Sequence, residues 1–331
     1  MRSAREEYGR DVVYLDAINK TTDYALPLFF LVIKTPSTYL VVGTFIVQFE
    51  TAECIEEALM MFRTWCSQFN PKFWMVDYCL AEINAIRAIF PESSIAMCDF
   101  HREQAWERWC KRKVNGVQEQ GVVLTSLRSL AKAATEQEYM LLVEELEAAP
   151  FRKAKPKLQQ YIKQHWLSIK ECWVTFYRLD LHVTTNNGVE NQNRLLKGYY
   201  LKNHCGRKSL SGLVQILLDK FLLEKQNEFL RNDMTFTSAY RAYHTYIPEF
   251  LHDRPPAVVK HIIQRLLAAE DFNKNNIQML EKAGTFHVHS QTTASAFYTV
   301  DFSQPHCNCM DFRKTQLPCK HFCAVFLQYK D

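Results

Sequence analysis

The sequence predicts a mixed α/β domain interrupted by a block of helices and followed by a small module that runs strand, strand, helix. Three observations carry this prediction. The first hundred residues alternate β-rich runs with segments of helical period. Residues 102–180 lose their strand signals and keep the helical period. From Thr285 the pattern returns to β and ends in two close pairs of cysteine and histidine.

Each element follows from its residues. Val12–Leu15 is a short β-rich run that closes at Asp16, and Leu26–Lys34 and Tyr39–Gln48 are longer strands. Pro36 and Ser37 between those two suit a hairpin turn. Over Thr51–Phe69 the apolar residues Cys54, Ile55, Ala58, Leu59, Phe62 and Trp65–Cys66 recur at helical spacing, with Thr51 and Glu50 where an N-cap would sit. Phe73–Val76 reads as a buried strand ending at Asp77. A helix over Ala81–Phe90 stops at Pro91, and a last strand over Ser94–Cys98 leads into Asp99, Phe100 and His101.

Helices then dominate through residue 180, with basic clusters at Lys111–Lys113 and Arg152–Lys157. One or two more helices are expected over 188–231, broken near Asn203–Gly206. Loops and a helix over Ala257–Ala268, preceded by Pro255 and Pro256, fill 233–283. Strands Thr285–His289 and Ala296–Phe302 introduce the final segment. The expected domains are 11–200, with the helical insertion at about 102–180, a helical connector over 201–284, and the terminal module over 285–331.

Composition narrows the class of protein. The 331 residues are 47% hydrophobic and 23% charged, close to an ordinary globular chain and unlike a disordered one. The net charge of +4 permits a nucleic-acid partner without arguing for one. No window approaches the ~18 apolar residues of a membrane span, and the first residues lack the apolar core of a signal peptide. An intracellular protein with no membrane partner is therefore expected. In that reducing setting its 11 cysteines are free thiols or metal ligands.

Metal ligation is the sharpest local signal. Cys307 and Cys309 form a C-x-C pair, and Cys319 and His321 form a C-x-H pair just downstream. Three thiolates and one imidazole complete the tetrahedron that structural Zn2+ prefers. His306 and Cys323 lie close by but are surplus to that count, and are read as packing or outer residues. His287 and His289 alternate along a strand and are read as surface histidines.

Acids form a second pattern. Asp16 and Asp77 both close strands, and carboxylates at neighbouring strand ends can meet at one sheet edge. With a third acid such a site holds divalent cations about 4 Å apart, and Mg2+ prefers these oxygen ligands. Glu190 is the candidate third acid. It sits in the first turn of a helix that follows the Thr185-Asn186-Asn187-Gly188 turn, and Asn186, Glu190, Asn193 and Lys197 fall near one face. Each of these acids also has an ordinary structural reading, as a turn or helix-start residue. Cys98 and His101 form a C-x-x-H pair, either half of a metal site or a brace for the strand edge. Trp106, Trp109, Trp166 and Trp173 are read as core rather than base-stacking platforms.

Several segments together resemble the Mutator-like (MULE) transposase domain. They are Leu15–Thr21, Leu26–Leu28, Glu50-Thr51, Met75–Asp77, Ala88–Pro91, Cys98–His101 and Thr185–Glu190. The strand order is similar to the RNase H-like fold. The terminal pairs, with Cys309–Phe312 and Leu317–His321 around them, resemble the SWIM zinc finger, which such transposases carry in the same order. The whole is similar to the animal SWIM-type zinc finger proteins derived from these transposases. The resemblance implies an RNase H-like mixed sheet with a helical insertion and a ββα-like zinc module. It also implies a DDE triad of Asp16, Asp77 and Glu190, with Mg2+ at that triad and structural Zn2+ at the finger.

Related transposases carry a separate DNA-binding domain ahead of the catalytic core. Here the first strand begins near residue 11, so either the sequence is a fragment or the function has changed. Three functions remain open. The first is a domesticated, nuclear, zinc-binding protein that binds DNA or protein partners without cutting. The second is an active DDE-type, Mg2+-dependent DNA nuclease or strand transferase. The third is a protein-interaction scaffold or substrate adaptor.

Overall fold

The computed structural model describes residues 8–36, 38–150, 155–181, 183–202, 209–234, 247–291 and 296–329. The chain divides into two compact units, Met1–Lys34 with Tyr39–Lys225, and Thr35–Thr38 with Gln226–Asp331. The connector expected over 201–284 is thus shared between them.

In the first unit, β1 (Val12–Ile18), β2 (Leu28–Lys34), β3 (Tyr39–Ile46), β4 (Phe73–Val76) and β5 (Ser94–Met97) form one mixed sheet in the order β3-β2-β1-β4-β5. The pairs β1–β2 and β2–β3 are antiparallel, whereas β1–β4 and β4–β5 are parallel. Helices α1 (Ala52–Trp65) and α2 (Leu80–Ile89) make the crossovers that the parallel pairs require. Thr51 caps α1, its hydroxyl oxygen accepting from the Cys54 amide at 3.4 Å.

Six of the seven β2 residues are buried, which is why its sequence is a nearly unbroken apolar run covered on both faces. Leu28, Phe30 and Val32 join the core on one face. On the other, Gly43 of β3 leaves room for Phe62 of α1: a Cβ there would stand 2.6 Å from the phenyl ring. Trp74 and Phe90 pack at 5.0 Å, with Phe69 edge-on to both, between the sheet and these helices.

The helical block holds α3 (Asp99–Lys111), α4 (Gln120–Lys132), α5 (Glu136–Ala148) and α6 (Pro156–His165), then short 3-10 stretches at Leu167–Cys172 and Thr175–Arg178. Trp106, Trp166 and Trp173 are fully buried against one another, with ring centroids 5.2–6.0 Å apart. They are core, as expected. Trp109 stacks on Tyr161 at 4.2 Å. Lys111 pairs with Glu107 one turn earlier, an ordinary solvated helix face. Arg152 and Lys153 of the second basic cluster and the break at Asn203–Gly206 lie outside the described residues, while Lys155 pairs with Glu119.

Two expectations are corrected. Asp16 does not close β1 but lies within it, facing Phe30 of β2. The ladder with β2 runs on to Ile18, while the ladder with β4 stops at Tyr14–Met75. The helix after Thr51 ends at Trp65 rather than Phe69, because Cys66 leaves helical geometry (φ −130°, ψ 63°).

Helix α7 (Asn187–Leu195) lies across the sheet face that carries Tyr14, Asp16 and Ile18, and continues as π-helix over Leu196–Leu201. Gln192 of α7 donates to the Tyr39 carbonyl at 3.0 Å. Gly188 sets how close the helix comes, since a Cβ there would stand 2.3 Å from the Tyr39 ring. Below it, α8 (Leu210–Ile216) and a π-helical stretch (Leu217–Phe221) complete the same core, with Phe221 stacked on Phe30 at 5.4 Å. Helix α9 (Leu222–Phe229) follows.

The second unit holds α10 (Pro256–Ala269), β6 (Ile277–Met279), β7 (Thr285–His289), β8 (Phe297–Asp301), β9 (His306–Cys307), α11 (Met310–Thr315) and α12 (Lys320–Gln328). Its four strands are antiparallel in the order β6-β7-β8-β9. The expected ββα-like module is therefore a four-stranded sheet with helices. The short strands β6 and β9 carry no periodicity of their own and pair with β7 and β8 through backbone bonds. Ala269 and Phe272 join its core, so α10 packs with the sheet.

Gly188→Ala is expected to lower stability by about 1–3 kcal/mol through the clash with Tyr39. Denaturant unfolding followed by tryptophan fluorescence measures this, and a change below ~0.5 kcal/mol would contradict the close approach.

Candidate metal centre and acidic cluster

The two aspartates are brought level by strand register. Tyr14 pairs with Met75 in the parallel ladder, and continuing that register by two residues sets Asp16 beside Asp77. Side chains alternate along strands, so both acids face the side on which α7 lies. Asp16 is 8% exposed, and Asn193 of α7 donates to its Oδ2 at 2.6 Å. Asp77 accepts at Oδ1 from Asn186 at 2.7 Å.

His101, in the first turn of α3, joins two of the acids. Its Nδ1 lies 2.6 Å from Asp77 Oδ1, and its Nε2 lies 3.2 Å from Glu190 Oε1. Asp77 and Glu190 thus share one imidazole. Fully buried Asn186 also accepts from the Cys98 thiol at 3.2 Å. Asn186 is the N-cap residue of α7, yet its side chain makes no cap bond; it ties the helix start to Asp77 and Cys98. Asp77, Cys98 and His101 offer ligand atoms all within 4.8 Å of one another. Among the described residues, Asp16, Asp77 and Glu190 do not form such a mutually close set, because His101 stands between the last two.

Charge and burial shift these groups strongly. Burial, then the Asp77 carboxylate, pushes the Asp16 carboxyl up to about 7, against the opposing pull of His101 and the Asn193 amide. Hydrogen bonds to Asp77 and then Cys98 push His101 up to about 10, so its imidazole is charged at neutral pH. The sequence reading missed Glu82 altogether. This first-turn residue of α2 is only 2% exposed, and burial followed by Asp16, Asp77 and Glu50 holds its carboxyl well above the usual range. A glutamate near a helix start reads as a surface residue, so nothing in the sequence marked it. Asn193 was legible as a member of the polar face, but its bond to Asp16 was not.

In the second unit, Cys307 and Cys309 flank the end of β9, and Cys319 and His321 open α12. All four are buried and their ligand atoms lie within 4.8 Å of one another. His321 Nδ1 is 3.8 Å from Cys307 Sγ and 3.7 Å from Cys319 Sγ. The Phe312 amide donates to Cys309 Sγ at 3.3 Å, the kind of outer bond that steadies a ligating thiolate. Tyr298 stacks on the His321 ring at 4.2 Å. This donor set fits structural Zn2+. Cys323 is buried in the apolar core and His306 is exposed, neither belonging to the four. His287 stacks on Phe297 and His289 is exposed, as a surface strand implies.

A mixed-sheet unit with an acid cluster and a second unit built round a Cys3His centre define an α/β protein with a structural zinc module. Two family models match it: a MULE transposase domain over residues 12–105 and a SWIM zinc finger over residues 298–330. The chain thus carries a MULE transposase domain and a SWIM zinc finger, a pairing that supports a transposase-derived zinc-finger protein. The first match contains Asp16, Asp77 and His101 and stops short of Glu190; the second contains all four zinc ligands. Comparison with curated proteins finds no match. No helix among the described residues is long and apolar enough to cross a membrane.

Chelating the zinc, or Cys319→Ala, is expected to unfold the second-unit sheet, since structural zinc contributes on the order of 10 kcal/mol to small modules. Amide exchange over Phe297–Asp301 and Lys320–Gln328 reads this out, and unchanged protection in metal-free protein would refute it.

His101 makes a pH prediction. Its folded pKa is raised above the unfolded value of about 6.5, so its stabilising contribution is complete below that pH and fades as pH climbs toward about 10. In protein free of added divalent cations, an NMR titration of the imidazole should show its midpoint far above 6.5. Asp77→Asn should bring that midpoint down.

Proposed function

We propose that the first unit is an RNase H-like domain descended from a DDE transposase, and that the protein now acts in the nucleus as a DNA-binding zinc protein. The observation that carries this reading is the convergence of Asp77 and Glu190 on His101 beside Asp16, on a MULE domain. The sheet order β3-β2-β1-β4-β5, with antiparallel and then parallel pairs, supports the RNase H-like fold. So does the placement of the third acid on a helix crossing the sheet. In this reading residues 11–200 form the RNase H-like domain, and the SWIM finger supplies a second contact to DNA.

The carboxylates of Asp16, Asp77 and Glu190 are hard oxygen donors, and the burial of Asp16 against Asp77 leaves negative charge that a cation would neutralise. They fit Mg2+, which bound there would supply positive charge for a phosphate group. Asn186 and Asn193 orient two of the acids, and His101 holds Asp77 and Glu190 together until a cation competes for the carboxylates or a phosphate for the imidazolium.

Retained DDE-type cleavage is a second reading, favoured by the presence of all three acids around one histidine. A gel-shift assay at low salt with and without Mg2+ tests the first. Duplex binding is expected, weakened at least threefold by Glu190→Gln when Mg2+ is present. Failure to bind DNA under both conditions, alongside a copurifying protein partner, would favour the adaptor role instead. Cleavage in Mn2+ that Asp77→Asn abolishes would establish the second reading.

A further inference from the structure

We propose that Glu50, Cys79 and Glu82 form a further divalent-cation site of the zinc class, separate from the finger and from the Asp16–Asp77–Glu190 cluster. Their ligand atoms, two carboxylate oxygens and one thiol sulfur, all lie within 4.8 Å of one another. Cys79 Sγ is 3.8 Å from Glu50 Oε1, close to the sulfur–oxygen separation across one tetrahedral ion with metal bonds of about 2.3 and 2.0 Å. The three come from two places in the chain. Glu50 lies just before α1, while Cys79 is the N-cap residue of α2 and Glu82 sits in its first turn.

Glu82 supplies an independent observation. The residue is only 2% exposed, and its buried Oε2 has no hydrogen-bond partner. A buried carboxyl oxygen left without a partner costs about 1–3 kcal/mol, and more if charged. Neither of the other two members repairs this by hydrogen bonding. Cys79 makes no side-chain cap bond to α2, and its thiol faces Glu50. A cation bound among the three would satisfy Glu82 and draw Cys79 into ligation together.

The donor set selects the ion. A thiol beside two carboxylates suits Zn2+ and its analogues Co2+ and Cd2+ better than Mg2+, which prefers oxygen and water. Three protein ligands leave one position open to water. Glu50 is exposed, which gives the ion a path in, while Glu82 closes the site from within. Because Glu82 interacts electrostatically with Asp16 and Asp77, a bound ion would also offset charge beside the acid cluster.

Co2+ titration of the full chain, with the finger already holding one equivalent of Zn2+ that Co2+ binds too weakly to displace, tests this by calorimetry and by the thiolate-to-metal ultraviolet band. One further equivalent is expected to bind with that band in the wild type. Cys79→Ala should remove the band and weaken binding at least tenfold, and Glu82→Gln should weaken it similarly. Asp77→Asn and Glu190→Gln should leave it within about threefold. Zn2+ should also raise the melting temperature of the one-zinc wild type but not of Glu82→Gln. Binding unaffected by Cys79→Ala, or lost in Asp77→Asn, would overturn the proposal. So would a Glu82→Gln protein that is more stable than a wild type indifferent to Zn2+. Loss of DNA binding bears only on the function proposed above and leaves this site standing.

Discussion

Like charges forced together in a half-buried edge repel, and the first unit is organised around offsetting that repulsion. Asp16 and Asp77 stand level because β1 and β4 run parallel in a fixed register. Left alone, two neighbouring carboxylates would disfavour the fold. Asn193 and Asn186 each donate to one of them, and the His101 imidazolium bridges Asp77 to Glu190. These donors come from α7, from the turn before it, and from α3. The cluster therefore also fastens the crossing helix and the helical block to the sheet.

That fastening depends on backbone features with no charge. Gly188 admits the Tyr39 ring where any side chain would collide, so α7 comes near enough for Asn193 to reach Asp16. The Asp99 amide donates to the Thr184 carbonyl at 2.8 Å, fixing the approach to α7 against the start of α3. Buried Arg178 adds a second tie, donating to the Asp99 carboxylate and to the Met97 carbonyl at the end of β5. The helical block is thereby anchored where the acids meet.

The second unit solves a different problem. Its strands are short, and two of them have only two or three residues, too few to be stable alone. Four buried ligands gathered from β9, the loop after it and the start of α12 substitute for the missing core. Zinc here is a folding element, whereas the acids of the first unit are like charges that the fold must offset.

Much of this was legible in one dimension. Cys307, Cys309, Cys319 and His321 lie close along the chain, so spacing alone assigned them, and three of the four tryptophans, Trp106, Trp166 and Trp173, are core as read, while Trp109 is half-buried against Tyr161. Element type followed from periodicity along most of the chain, because apolar spacing at 2 or 3.6 residues reports directly which face is buried. Strand ends were less legible. Asp16 reads as a terminus from its own polarity, yet β1 continues past it because β2 offers further backbone partners.

The sequence by itself determined the zinc ligands, the α/β class and the identity of the candidate acids, since each rests on local spacing or on residue type. Only tertiary structure decided that His101 sits between Asp77 and Glu190, that Asn186 serves Asp77 rather than its own helix, and that Glu82 is buried beside Glu50 and Cys79. Those facts join residues up to about a hundred positions apart, and no periodicity along a chain encodes which distant side chains a sheet register and a crossing helix will bring into contact.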